Sequence, residues 1–143
     1  MFEFPIRVYW EDTDAGGIVF YANYLKFFER ARTEWLRSLG IEQGKLREST
    51  GGMFVVGETS VKFHRPARLD DELLVTAEVE ETGRASLIIA QQAFLREGRH
   101  LLCEGTIRIG WVGGVNRVGP DTHTAILKSA RIPSVILEAL RTR

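Results

Sequence analysis

Two patterns predict an α+β fold for this chain, with one long helix lying against an antiparallel sheet. A single apolar stripe at helical spacing occupies the first third of the chain, and runs alternating at period two follow it. The links between the later runs are short, which implies antiparallel neighbours, because a parallel pair needs a long crossover. One apolar helix face and one apolar sheet face bury each other in a two-layer domain.

The elements follow in order. Pro5 to Trp10 is rich in β-branched and aromatic residues and reads as a strand. An acidic, glycine-bearing loop, Glu11 to Gly17, comes next. Tyr24, Phe28, Ala31, Trp35 and Leu39 then recur at steps of three and four, with Lys26, Arg30, Thr33, Glu34 and Arg37 off that stripe. Gly40 follows as an expected C-cap. Gly40 to Gly52 is polar and reads as a loop or short helical piece.

From Met53 onward the period is two. Val55, Gly57, Thr59, Val61 and Phe63 are expected on one face, with Glu58, Ser60 and Lys62 on the other. Arg65 to Asp71 breaks the strand at Pro66, since proline cannot donate to a ladder. Leu73, Val75, Ala77 and Val79 share the next apolar face, and Gly83-Arg84 marks a turn. Ala85 to Arg96 is apolar on both faces and is expected to be central. Glu97-Gly98-Arg99 is a hairpin turn, after which Leu101, Cys103, Gly105, Ile107, Ile109 and Trp111 line one face of a last strand. Pro133 to Leu140 reads as a short terminal helix with Pro133 near its first turn.

At 143 residues the expectation is one domain, 1–143, with the tail after about 112 the least defined. Lysine and arginine number 19 against 19 aspartates and glutamates, so net charge gives no reason to expect nucleic acid as a partner. No apolar run approaches the length of a membrane span, and the N-terminus does not read as a signal peptide. The single cysteine, Cys103, excludes an intramolecular disulfide, and a cytoplasmic location is expected.

The loop from Glu11 to Gly17 is the stretch with chemical content. Glu11, Asp12 and Asp14 precede two glycines and the start of the main helix. Glycine lets backbone approach a ligand, and a helix N-terminus offers unpaired N–H groups to an anion or developing oxyanion. A carboxylate beside such a terminus can attack a carbonyl or activate a water. On spacing alone, Asp12 or Asp14 is equally readable as a turn or helix cap. His64, His100 and His123 lack metal-ligand spacing, so a metal site is not expected. Cys103 is on an apolar strand face and reads as core, and Gly113 to Gly119 does not fit a phosphate loop.

The run from Val8 to Tyr24, V-Y-W-E-D-T-D-A-G-G-I-V-F-Y-A-N-Y, resembles the signature of the 4-hydroxybenzoyl-CoA thioesterase family. It is most similar to the YbgC-type acyl-CoA thioesterases associated with the Tol–Pal envelope system. Phe28-Glu29-Arg30-Ala31-Arg32 and Pro66 to Asp71 resemble the same branch, and the likeness fades beyond Val112. The resemblance implies a hotdog fold and an acyl-CoA substrate, with coenzyme A present only as part of that substrate. It also implies a homodimer or homotetramer with shared sites.

For the residues, the resemblance implies Asp14 as nucleophile or general base and a carbonyl-binding backbone N–H at Tyr21, where the helix is expected to start. Gly17 and Val19 fall in the substrate-binding part of the signature. Glu29 matches a residue that contacts the acyl group in an aromatic-specific relative; alternatively it pairs within the helix with Arg32 or another basic neighbour. Arg84, and less directly Arg68, are candidates for the phosphates of coenzyme A, or are simply solvated. In one respect the chain departs from the YbgC pattern: tyrosine stands at 21 where histidine is usual, as in the 4-hydroxybenzoyl-CoA enzyme itself. Tyrosine is a poor base at neutral pH, so Asp14 must carry more of the work. The alternative reading is a non-catalytic acyl-CoA-binding hotdog protein, a sensor or partner. A hotdog dehydratase ranks last, for want of a histidine–acid pair.

Overall fold

The computed structural model describes residues 1–114 and 128–141. Its strands are β1 (Phe2–Arg7), β2 (Met53–Phe63), β3 (Glu72–Thr82), β4 (Ser86–Leu95), β5 (Leu101–Gly113) and β6 (Lys128–Ser129). The helices are α1 (Asn23–Ser38), α2 (Gln43–Thr50) and α3 (Ser134–Arg141). All strand pairs are antiparallel, in the order β1-β3-β4-β5-β2, with β6 pairing the end of β5. β4 is central, as its two apolar faces require.

The first strand begins and ends earlier than its composition indicates. Phe2, Phe4 and Ile6 turn inward while Pro5 faces out on an edge strand, where its missing N–H is tolerated. The chain leaves the sheet at Val8, and the Asp12 carboxylate accepts the Tyr9 N–H at 2.8 Å to form a single turn at Trp10–Asp12.

α1 is the element that the sheet wraps. Tyr24, Phe27, Phe28, Ala31, Trp35 and Leu36 are buried against Leu73, Val75, Leu87, Ile89, Ile107 and Ile109. Each fully buried large apolar side chain contributes about 1.5–3 kcal/mol by removal from water, so this face is a principal source of stability. Gly105 on β5 lets the helix come close. A Cβ there would meet the Ser60 carbonyl oxygen at 2.7 Å and the Phe28 ring at 3.3 Å.

The C-terminus of α1 is closed by two bonds, Ile41 N–H to Leu36 O at 2.9 Å and Gly40 N–H to Arg37 O at 3.0 Å. That Schellman arrangement needs a left-handed residue, and Gly40 supplies it at φ +84°. The polar segment that follows is helical over α2 and ends at Gly51, also left-handed.

The expected face of β2 is corrected in the structure. Val56 pairs with Ile109 and Glu58 with Arg108, so Gly57 is the extra residue of a bulge. Beyond it Thr59, Val61 and Phe63 sit opposite Ile107, Gly105 and Cys103, as expected. Before it the parity flips. Phe54 and Val56, rather than Val55, stand opposite Trp111 and Ile109.

Candidate active site

The acidic loop is a tight excursion tied at both ends. Thr13 bridges Val19, Ile18 bridges Arg68, and Val19 N–H donates to Ala67 O at 2.8 Å. Asp12 is buried; its carbonyl accepts both the Phe20 N–H at 3.0 Å and the Asn23 amide at 2.8 Å, fixing the loop to the first residue of α1. On the other side the Tyr24 hydroxyl accepts the Ala67 N–H at 2.9 Å, so the helix start and the segment after β2 are held together.

Asp14 sits at the tip of this frame. Its N–H donates to Ile18 O at 2.9 Å, and its carbonyl accepts the Gly17 N–H at 3.0 Å. Carboxylate Oδ1 accepts the Gly16 N–H at 2.8 Å. Oδ2 has no donor among the described residues and faces solvent. Gly17 fits this shape through its left-handed backbone, and Gly16 leaves room for the carboxylate. Gly17 has φ +77°, and a Cβ on Gly16 would stand 3.2 Å from Asp14 Oδ1. Asp14 and Gly17 line an open hollow of about 510 Å³ with Trp10, Glu11, Thr13 and Leu69.

α1 starts at Asn23, two residues later than expected. Tyr21 therefore lies in the turn before the helix. Its N–H and that of Ala22 have no acceptor among the described residues. The Tyr21 side chain is 64% exposed, with its ring 4.8 Å from that of Phe20 and 6.2 Å from that of Phe63. It does not line the hollow at Asp14.

The remaining expected residues do not all converge. Val19 is buried and its N–H is spent on Ala67, so it shapes the loop. Arg68 is exposed beside the loop, next to Leu69 in the hollow wall. Glu29 is exposed one turn and a half into α1 and accepts the Thr33 hydroxyl at 3.0 Å; the expected pair with Arg32 does not form. Arg84 sits at the far end of β3, which begins next to the loop and runs away from it. Eleven strand residues separate it from the loop end of β3, a path of about 35 Å if fully extended.

His64 faces Glu104 at 3.3 Å, and His123 lies outside the described residues. No cluster of metal-binding side chains occurs among the described residues, and none of their helices is long and apolar enough to cross a membrane. Cys103 is fully buried, and burial pushes its thiol up to about 12.

Two residues near the helix were missed from the sequence. Arg32 is buried in the core, bonded to Gln91 of β4. The signal was present, since 32 falls between Phe28 and Trp35 at stripe spacing.

The family model described as "Thioesterase superfamily" matches residues 16–102. The chain belongs to the thioesterase superfamily. As a member it is a thioester hydrolase with a hotdog fold, the sheet wrapping α1 as described. Among proteins of known sequence it is similar to "Acyl-CoA thioesterase YbgC" of Haemophilus influenzae, 44% identical over 111 residues, 78% of this chain and 80% of that one. Of solved structures, it is similar to a probable thioesterase from Bartonella henselae at 30% identity and TM-score 0.73, covering 92% of this chain and 96% of that one. A 1,4-dihydroxy-2-naphthoyl-CoA thioesterase from Synechocystis shares the fold at TM-score 0.84 and 21% identity, over 98% and 95% of the two chains.

Proposed function

We propose that this chain hydrolyses an acyl-CoA thioester to a free acid and coenzyme A, with Asp14 as the catalytic carboxylate. One observation carries the reading: the loop holds Asp14 by Oδ1 and leaves Oδ2 free, in the same short frame that leaves the Tyr21 and Ala22 N–H groups without acceptors. The thioester carbonyl oxygen would bind at those N–H groups, which stabilise the oxyanion as it forms. Asp14 either attacks the carbonyl carbon itself or takes a proton from the attacking water. The tetrahedral intermediate collapses with cleavage of the C–S bond, and the thiolate leaves without needing a strong general acid. In the first case water then hydrolyses the acyl-aspartate, so both routes consume one water.

Tyr21 serves this mechanism through its backbone. Its ring packs on Phe20 and Phe63, so Tyr21→Phe should keep kcat within about threefold of wild type, whereas a catalytic hydroxyl would lose about a hundredfold or more. The assay is release of free thiol from a panel of short, aromatic and long-chain acyl-CoA substrates. Stoichiometric binding with no thiol released would favour the non-catalytic reading, to which the absence of a histidine at position 21 points.

The working unit is a homodimer or homotetramer. The outer edge of β2 has no partner strand among the described residues, and Val56 and Phe63 are exposed along it. Trp10, 79% exposed, stands beside the hollow. Arg84, at the end of β3 away from the loop, would meet the phosphates of coenzyme A at the site of a second copy, and Arg68, beside the loop, at its own. A cytoplasmic location and a link to the Tol–Pal system are what the resemblance to the YbgC branch implies; co-purification with envelope components tests that link.

A further inference from the structure

The mechanism leaves one buried charge unused. Arg32 lies on the inner face of α1 with only 9% of its surface exposed. Its Nη1 donates to Gln91 Oε1 at 2.9 Å. Gln91 is fixed from the other side, because its Nε2 donates to Phe28 O at 3.0 Å and Thr76 O at 3.1 Å. The guanidinium is thus held by one end in a rigid network.

The other end is open. No ion pair to Arg32 forms among the described residues, and Glu29, one turn back, accepts the Thr33 hydroxyl. Nε and Nη2 have no acceptor among the described residues. These two N–H groups point in the same direction and form the fork that fits both oxygens of a carboxylate. Burial already works against the charge and lowers the pKa of Arg32, with Glu29 opposing that effect; a bound anion would relieve it.

Arg32 lines a small cavity of about 120 Å³ between α1 and β2, walled by Trp35, Leu36, Phe54, Val56 and Ile109. Gln91, which holds the guanidinium, also bonds Phe28 O, one turn nearer the N-terminus of α1 and in the direction helix side chains lean. We propose that this cavity takes the far end of the acyl group, and that the preferred acyl chain ends in a carboxylate bound by Nε and Nη2 of Arg32. The inference rests on the thioester hydrolase reading. Glu29 at the cavity mouth is exposed, where solvent weakens its repulsion of an incoming carboxylate.

Two measurements on the full chain test it separately from the hydrolase reading. Adipate titrated against the protein should bind saturably while hexanoate does not, and Arg32→Gln should abolish the binding. In hydrolysis, adipyl-CoA should exceed hexanoyl-CoA in kcat/KM by about tenfold or more, because a site built to hydrogen-bond a group rejects the analogue lacking it. Arg32→Gln should bring the two substrates within about twofold. Val56→Trp fills the cavity from the edge strand and leaves the Arg32–Gln91 bond in place, so it should remove the same preference even if Arg32→Gln fails to fold. Equal kcat/KM for the two substrates in wild type, or adipate binding indifferent to both substitutions, overturns the proposal. Adipate binding through Arg32 with neither thioester hydrolysed would uphold the site and sink the hydrolase reading.

Discussion

Tyr24 and Asp14 divide the work of the loop, one holding it and the other presenting a free oxygen. The Tyr24 hydroxyl is buried and accepts the Ala67 N–H at 2.9 Å. Tyr24→Phe leaves that buried N–H unsatisfied and should destabilise by about 1–3 kcal/mol in a urea titration. Burial raises the pKa of this hydroxyl, with the Ala67 bond opposing. A raised folded-state value means stability is complete below the unfolded pKa, near ~10, and is lost as pH rises through the folded one. Tyr24→Phe should lack that alkaline contribution, and an unchanged alkaline limb would contradict the assignment. Cys103 belongs to the same regime: with its thiol pushed up to about 12, it should resist iodoacetamide at pH 8 until the chain unfolds, as read by mass spectrometry.

The elements show where sequence reading succeeds and where it stops. α1 and the end at Gly40 were legible because helix period and a left-handed cap are local properties. Gly40→Ala should cost about 1–2 kcal/mol by thermal melting, the strain of a side chain at φ +84°. The bulge at Gly57 was not legible, since alternation on both sides of it looks continuous until the pairing with β5 is known. The burial of Arg32 was legible from its stripe spacing, but its partner was not, because Gln91 is brought to it only by the packing of α1 on β4. Asp14 was legible as a candidate because the glycines and the helix start are its neighbours in sequence; its free Oδ2 was not, because that depends on how the loop folds back on Gly16.

At the scale of the whole molecule, the strand directions decide which residues can act together. They place Asp14 and Arg68 at one end of the sheet and Arg84 at the other, so a site that uses all three needs two copies. Sedimentation velocity should find a dimer or larger at micromolar concentration. Phe63→Asp, at the exposed end of the free β2 edge, should shift it toward monomer and lower thiol release in parallel. Full activity in a monomeric Phe63→Asp protein would separate catalysis from assembly and contradict the shared site.

The central claim is that the Asp14 carboxylate does the chemistry, and its most direct test is thiol release by Asp14→Asn. Asparagine retains an oxygen to accept the Gly16 N–H, so the loop and the melting temperature should be preserved. Turnover should fall by about 10²–10⁴-fold, the range expected for removing a general base or nucleophile. Turnover within a few-fold of wild type, in a protein that melts at the same temperature, would contradict the account.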